Sequence, residues 1–128
     1  MKRKVLKRRL EDTKVERRGN VEKRVFFSPG KGSECVRFSY YCGKPGIESD
    51  LHTNLGDDCT YILQGKMKVE AGGETYFMKE GDAFYMPSNL PHKATITGNK
   101  ELKIITAHCD LCPLYMEKEE KERRKKKG

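Results

Sequence analysis

The side chains best suited to chemistry in this 128-residue chain lie in two short segments between residues 52 and 92. The first segment contains His52, Asn54 and Asp58, and the second ends at His92. Alternate residues of an extended strand share a face, so His52 and Asn54 point the same way, and Asp58 has the same parity beyond a turn at Gly56. Two imidazoles and one carboxylate make up the facial triad that holds non-haem iron with open positions. The sequence therefore predicts a metal site with these two histidines and the carboxylate as ligands. Asn54 would be a weaker amide ligand or would orient a water.

Each of these residues also has an interpretation that needs no metal. The two histidines could be satisfied polar residues at the mouth of a barrel, and Asp58 could cap the turn that begins at Gly56. Tyr61 and Tyr85 lie in predicted strands beside the site, where a phenol could donate a hydrogen bond to a substrate. Core packing is the more frequent role of such a tyrosine.

Short apolar runs alternate with turn residues from Val25 onward, with turn signals about every 8–10 residues. Cys35–Cys42 has a two-residue alternation, and Gly72-Gly73 is typical of a tight hairpin. The pattern contains no convincing helix before residue 113 and favours an all-β sandwich or barrel. A further strand near Val5–Leu10 is expected at a sheet edge or against a second subunit.

Charge is concentrated at the two ends of the chain. The net charge is +8, of which residues 1–24 contribute +7 and residues 113–128 contribute +3, while residues 25–112 carry −2. We expect residues 1–24 to be a charged N-terminal arm or edge strand and residues 25–112 to be the barrel. Residues 113–128 are either a solvated helix or a disordered tail, because they lack an apolar stripe. A nucleic-acid-binding fold carries a basic face of its own, so nucleic acid is not the expected partner.

The composition also bears on location. No stretch of about 18 apolar residues is present, so the sequence predicts no membrane span. The basic N-terminus is followed by no apolar segment, which predicts no signal peptide and a cytoplasmic location. Charged residues make up 36% of the chain, a composition that suits both thermophile proteins and any protein with charged tails.

The five cysteines are an odd number, so at least one has no partner within the chain. His108-Cys109-x-x-Cys112 has the spacing of a zinc or redox site. Tetrahedral zinc needs four ligands, and no second pair with this spacing exists. No βαβ pattern that would indicate a thioredoxin-like role surrounds it. The alternative is a strand end with incidental thiols or a local disulfide.

The two polar segments resemble the paired motifs of the cupin family. The first family motif has His-x-His, three or four residues, Glu, six residues and Gly. The second has Gly, five residues, Pro-x-Gly, two residues, His, three residues and Asn. In this chain the motifs read His52-x-Asn54-x3-Asp58-x6-Gly65 and Gly81-x5-Pro87-x-Asn89-x2-His92. Because two motifs agree in order and separation, the resemblance is specific, and it covers residues 22 to 109.

This resemblance implies a double-stranded β-helix, or jelly-roll, barrel with its site at one mouth, and it implies a homodimer. It also implies a divalent transition metal, with iron, manganese, zinc and nickel all open. The chain departs from the family pattern at four positions, where other residues replace the second histidine, the glutamate, a glycine and the late asparagine: Asn54, Asp58, Asn89 and Ile96. Asp is one methylene shorter than Glu, and divalent transition metals prefer imidazole to a neutral amide, so the ligand set is weakened.

The sequence thus predicts a small metal-binding cupin that acts on or binds a small polar molecule in the barrel pocket. The metal would act as a Lewis acid or as an oxygen-activating centre. The reaction stays open among dioxygenase, isomerase, lyase and decarboxylase types, because function depends on the site and not on the fold. The alternative is a non-catalytic ligand-binding or sensor cupin with a weakened or absent metal site. A third hypothesis is an interaction protein whose charged ends contact a partner.

Overall fold

Antiparallel strands make up almost all of the chain that the structure describes. The computed structural model describes residues 4–109, so the predicted tail at 113–128 lies outside the described residues. A short 3-10 helix at Leu10–Asp12 precedes the strands, and no described helix is long and apolar enough to cross a membrane. The strands are β1 (Val15–Arg18), β2 (Val21–Phe27), β3 (Val36–Gly43), β4 (Asp57–Gln64), β5 (Lys66–Ala71), β6 (Glu74–Lys79), β7 (Ala83–Met86), β8 (His92–Thr97) and β9 (Leu102–Cys109).

The strands form two antiparallel sheets. The larger sheet has the order β1-β2-β3-β9-β4-β7, and the smaller sheet has the order β6-β5-β8. Before β4, Glu48 and His52 pair with Thr95 and His92 of β8, which lengthens the smaller sheet. This arrangement confirms the all-β jelly-roll barrel that the turn spacing and the cupin resemblance predict.

The register of β9 between β3 and β4 separates an apolar end of the interior from a polar end. Side chains alternate along a strand, so Leu102, Ile104, Thr106 and His108 share the inner face of β9. Fully burying a side chain such as Ile62 stabilises the fold by about 1.5–3 kcal/mol. The buried core consists of Ile62, Met67, Val69, Ala71, Met86, Ile96 and Leu102.

Glycines with positive φ make the two tight turns around β5. Gly72 and Gly73 have φ values of +58° and +78°, which confirms the predicted hairpin, because such a turn needs positive φ at both central residues. Gly65, between β4 and β5, has a φ of +87°. A Cβ at this position would lie 2.8 Å from the carbonyl oxygen of Glu101. Both the backbone conformation and the available space therefore require glycine at residue 65.

The N-terminal arm differs from the strand that we predicted near Val5–Leu10. Residues 4–9 form no strand, and the edge of the large sheet is β1 instead. The Arg8 guanidinium donates hydrogen bonds to the carbonyl groups of Phe26 and Lys31. The prediction was wrong because side-chain contacts, and not a strand ladder, hold this part of the arm. Strand β2 also crosses the boundary that we placed between residues 24 and 25.

Replacing Gly65 by alanine should lower the free energy of unfolding by about 2–4 kcal/mol, because a positive φ and a close backbone contact both penalise the new Cβ. Gly73→Ala is the matched control. It also has a positive φ, but no heavy atom lies within 4 Å of the added Cβ, so we expect a loss of only about 1–2 kcal/mol. Urea unfolding of the two variants measures the difference. Equal losses would show that the contact with Glu101 has no effect.

Candidate functional site

His52 and His92 face each other at one end of the barrel, as the sequence predicts. Their backbones exchange two hydrogen bonds, of 3.0 and 2.9 Å, and their ring centres lie 4.3 Å apart. The Nδ1 atom of His52 is 2.7 Å from the Asp50 carbonyl oxygen, and that of His92 is 2.9 Å from the Leu90 carbonyl oxygen. A carbonyl oxygen only accepts, so Nδ1 is the protonated donor in both contacts, and Nε2 takes no part in them.

The loops that carry the two histidines are tied together by hydrogen bonds. The Asn89 amide donates to the Asn54 carbonyl oxygen over 2.8 Å, and the Gly56 amide donates to Ser88 Oγ over 2.9 Å. Asn89 has a φ of +62°, a region that asparagine enters more readily than most residues. The glycine of the family motif and the asparagine of this chain therefore suit the same turn, and this departure leaves the local backbone intact. The bond that fixes Asn54 uses its main-chain carbonyl.

Asp58 has a different partner from the one predicted. Its Oδ1 atom lies 2.6 Å from Nδ1 of His108, and both side chains are 17% exposed. The two residues are opposite each other in the β4–β9 register, so the inner faces of neighbouring strands bring them together. In the sequence His108 stands out only beside Cys109 and Cys112, and nothing local links it to Asp58, because the two residues are distant along the chain.

The four predicted metal ligands therefore do not form one donor set. His52 contacts His92, while the Asp58 carboxylate is hydrogen-bonded to His108. Among residues 4–109, no group of three or more His, Cys, Asp or Glu side chains is placed to hold a metal ion. A divalent transition metal needs several such donors at one point. In the described arrangement these residues do not fit the metal site that the sequence predicts.

Further polar residues share the inner face with the Asp58–His108 pair. In β3, Arg37 lies opposite His108 and Tyr41 lies opposite Ile104. The Lys23 ammonium lies 5.7 Å from the centre of the Tyr41 ring. One step further into the barrel, the hydroxyls of Thr60 and Thr106 are hydrogen-bonded over 3.1 Å. Alternation in the β3 segment was visible in the sequence, but it did not show which face was internal.

Burial shifts the pKa of two of these groups. Burial is the main cause that raises the pKa of the Tyr41 phenol, and the nearby carboxylates of Asp58 and Glu16 raise it further. The phenol is therefore a neutral hydrogen-bond donor at neutral pH. Burial likewise lowers the pKa of Lys23 from its ordinary 10.5, and the neighbouring Arg18 and Arg37 charges lower it too.

The family follows from comparison with known proteins. The family model described as "Cupin domain" matches residues 39–108, more than half of the chain. The chain belongs to the cupin family. This cupin is 34% identical over 71 residues to an uncharacterized protein of Methanocaldococcus jannaschii, and the match spans 55% of this chain and 54% of that protein. The chain thus covers about half the length of this curated relative.

Solved structures show the same fold. One is the polyketide cyclase RemF of Streptomyces resistomycificus, with a TM-score of 0.72 and 18% identity over 83% of this cupin and 80% of that chain. Another is a protein of Thermotoga maritima named as a predicted oxalate decarboxylase. It has a TM-score of 0.71 and 24% identity over 79% of this cupin and 96% of that chain. Likeness at this level of identity shows the fold alone.

Tyr61 and Tyr85 of this cupin lie on the outer face of the large sheet. Tyr61 has the opposite parity to Asp58 in β4, and Tyr85 pairs with the outward-facing Cys59. The two tyrosines are 47% and 56% exposed. They are neither core residues nor placed to touch a ligand inside the barrel, so the predicted substrate contacts are wrong for an interior site. The sequence places both tyrosines in strands, but it does not show which face of each strand is internal.

Two other features lie away from the polar end. A surface cleft of about 630 Å³ is lined on the opposite face of β3 by Tyr40 and Cys42, with charged groups of both signs around it. Burial raises the pKa of the Cys42 thiol, which disfavours the reactive thiolate. Cysteines 35, 42, 59 and 109 are free thiols, and Cys112 lies outside the described residues.

Asp58→Asn should lower the free energy of unfolding by about 1–2 kcal/mol at pH 7, because a half-buried hydrogen bond to a charged group is replaced by a neutral one. Asp50→Asn is the matched control, since Asp50 is exposed, and we expect a change within about 0.5 kcal/mol. Urea unfolding of both variants measures the effect. An Asp58→Asn protein as stable as the control would show that the pair does not stabilise the fold.

Lys23→Met should raise the melting temperature at pH 7 and do so less at higher pH. The folded protein disfavours the charged ammonium, so the pKa of Lys23 lies below its unfolded value of 10.5. The melting temperature of the parent protein therefore rises as the pH increases from the folded to the unfolded pKa of Lys23. Over this range the difference in melting temperature between the variant and the parent becomes smaller. Thermal unfolding between pH 7 and about 10.5 tests this. A gap that widens with pH would contradict it.

Proposed function

We propose that this cupin binds a small polar molecule at the polar end of its barrel and that it does so without a resident metal. The observation that carries the proposal is the hydrogen bond between Asp58 and His108. It engages the only carboxylate in the predicted ligand set, and it leaves a half-buried acid–base pair at the end of the barrel. This is the ligand-binding or sensor alternative of the sequence analysis.

The inner face offers a ligand both polar and apolar side chains. Ligand sites are mostly apolar, with a few placed polar groups that fix orientation. Here the apolar core around Ile62 gives way to hydroxyl groups at Thr60 and Thr106 and then to Asp58 and His108. A ligand against this surface meets hydrogen-bond donors and acceptors at the open end and apolar side chains further in.

An enzymatic role is the second candidate, and the same pair favours it. A histidine hydrogen-bonded to a carboxylate has the composition of a general base and its orienting group. Two proteins of similar fold also carry enzyme names, a polyketide cyclase and a predicted oxalate decarboxylase. Binding comes first because it needs only the groups described above, whereas catalysis also needs a substrate placed against His108.

The metal-binding form would need His52, His92 and Asp58 at one point, and no such group of donors is present among residues 4–109. We therefore expect the purified protein to contain transition metal well below one ion per chain, measured by elemental analysis. His52→Ala and His92→Ala should leave that content unchanged. Near-stoichiometric iron, manganese, zinc or nickel that is lost in either variant would contradict the proposal and support the metal-dependent form predicted from the sequence.

Ligand binding is tested on the wild-type protein by thermal unfolding with a panel of polyols, sugars, amino acids and small organic acids. At least one class should raise the melting temperature. His108→Ala should remove that rise, and Tyr61→Ala, on the outer face, should retain it. If no class has an effect, or if both variants behave alike, the interior is not a binding site. The homodimer, the cytoplasmic location and a partner for the charged ends stay predictions.

A further inference from the structure

A surface cleft of about 630 Å³ is lined by Tyr40 and Cys42 on the outer face of β3. This volume is typical of small-molecule sites, which occupy about 300–1,000 Å³. Tyr40 is only 7% exposed although it lines the cleft, so a buried phenol forms its floor. Ile47 also lines the cleft and packs against the buried core. The cleft therefore offers a ligand two apolar surfaces.

A row of polar and charged side chains crosses this cleft. The register places Arg17 of β1 opposite Glu22 of β2. It then places Glu22 opposite Cys42 of β3, and Cys42 opposite Lys103 of β9. Residues that are opposite each other in neighbouring strands share a face. Glu101 joins the row from the residue before β9, because its Oε2 atom lies 3.4 Å from Cys42 Sγ. The cations therefore lie at the two ends of the row and the carboxylates lie between them.

The two carboxylates converge on Cys42. Burial is the main cause that raises the pKa of the Cys42 thiol, and the carboxylates of Glu101 and Glu22 raise it further. The same two carboxylates, after burial and Cys42, contribute to raising the pKa of Tyr40 to about 12. The thiol and the phenol are both neutral at neutral pH. A cation placed over Cys42 would therefore meet negative charge from two sides.

Each carboxylate is held in place by another group of the protein. Glu22 Oε2 lies 3.7 Å from Nε of Arg24, and the Arg24 guanidinium in turn donates to the Thr13 carbonyl oxygen over 2.6 Å. Glu101 Oε2 accepts the hydrogen of the Cys42 thiol. Each of these contacts uses one oxygen of a carboxylate, which has two. Groups that are already fixed lose little freedom when a ligand binds.

Arg17 is placed to meet a negative group next to these carboxylates. It is exposed in β1, and it forms no ion pair with any carboxylate of residues 4–109, although Glu22 is opposite it. A guanidinium presents its donors in a planar fork that matches the two oxygens of a carboxylate. A ligand that meets Arg17 and Glu22 together must carry opposite charges close to each other. An α-amino acid does so, because one carbon bears both its ammonium and its carboxylate group.

We propose that this cleft is a second binding site and that its ligand is a free α-amino acid with an apolar side chain. Arg17 holds the carboxylate of the ligand, and Glu22 and Glu101 hold its ammonium group. The side chain of the ligand lies against Tyr40 and Ile47. The site is on the outer face of the large sheet, so it is separate from the ligand proposed for the barrel interior.

The test is calorimetric titration of the full chain at neutral pH with leucine, methionine and phenylalanine. Each amino acid is compared with two analogues that keep its side chain, one without the ammonium group and one without the carboxylate. For leucine these are isocaproate and isoamylamine. At least one amino acid should bind, and both of its analogues should bind about 10-fold more weakly or worse, because each lacks one charged hydrogen bond. Binding by none of the three, or equal binding by an analogue, would overturn the inference.

Variants with matched controls locate the binding. Arg17→Gln should weaken amino-acid binding about 10-fold or more. Its control is Arg9→Gln, because Arg9 is an exposed arginine beside Glu11 and does not line the cleft. Glu101→Gln should weaken binding to the same extent, and the exposed Glu80, replaced by glutamine, is its control. Both controls should stay within about two-fold of the parent protein. Equal weakening in the variants and the controls would show general charge attraction and would overturn the inference.

A further variant separates this site from the barrel interior. His108→Ala changes the inner face and should leave amino-acid binding in the cleft within about two-fold. If His108→Ala abolishes the binding of an amino acid while Arg17→Gln retains it, the ligand lies in the interior and the cleft inference is wrong. If binding depends on Arg17 and Glu101 but not on His108, the cleft site is supported, whatever the outcome for the interior.

Discussion

The register of β9 is the constraint on which the interior of this barrel depends. β9 lies between β3 and β4. The alternation of its side chains between the two faces of the sheet therefore decides which side chains of the three strands meet on the inner face. A slip of one residue would turn Leu102 and His108 outward together and bring their neighbours to the inner face. The same pairing that closes the apolar core at one end therefore assembles the row of Arg37, His108 and Asp58 at the other.

The two ends of the interior differ in how they affect stability. The cluster around Ile62 removes apolar surface from water, which is the main favourable contribution to folding. The region around Lys23 and Tyr41 instead keeps polar and charged groups partly out of water, which is unfavourable when their charges are alike. The barrel is stabilised mainly by its apolar core, and the Asp58–His108 hydrogen bond contributes at the polar end.

The sequence predicted the features that depend on local patterns. It did not predict the features that depend on contacts between residues distant along the chain. The hairpin at Gly72-Gly73 and the pairing of His52 with His92 follow from turn chemistry and from motif spacing. The partner of Asp58 does not, because a carboxylate in a strand has the same local pattern whether it faces a metal, a histidine or water. Arg37 was missed for a related reason: an exposed arginine near a strand end is ordinary until the topology shows which face is internal.

The order of strands in the large sheet also bears on how the chain folds. β2 and β3 can pair early, and so can β4 and β7, but these two groups stay separate until β9 lies between them. β9 comes last among the described strands, so one edge of β3 and one edge of β4 remain open during synthesis until residues 102–109 emerge. Sheets closed by such distant segments fold slowly, and open edges can pair with other chains in the meantime. For this cupin, the strand that organises the interior also determines how long the nascent chain is exposed to aggregation.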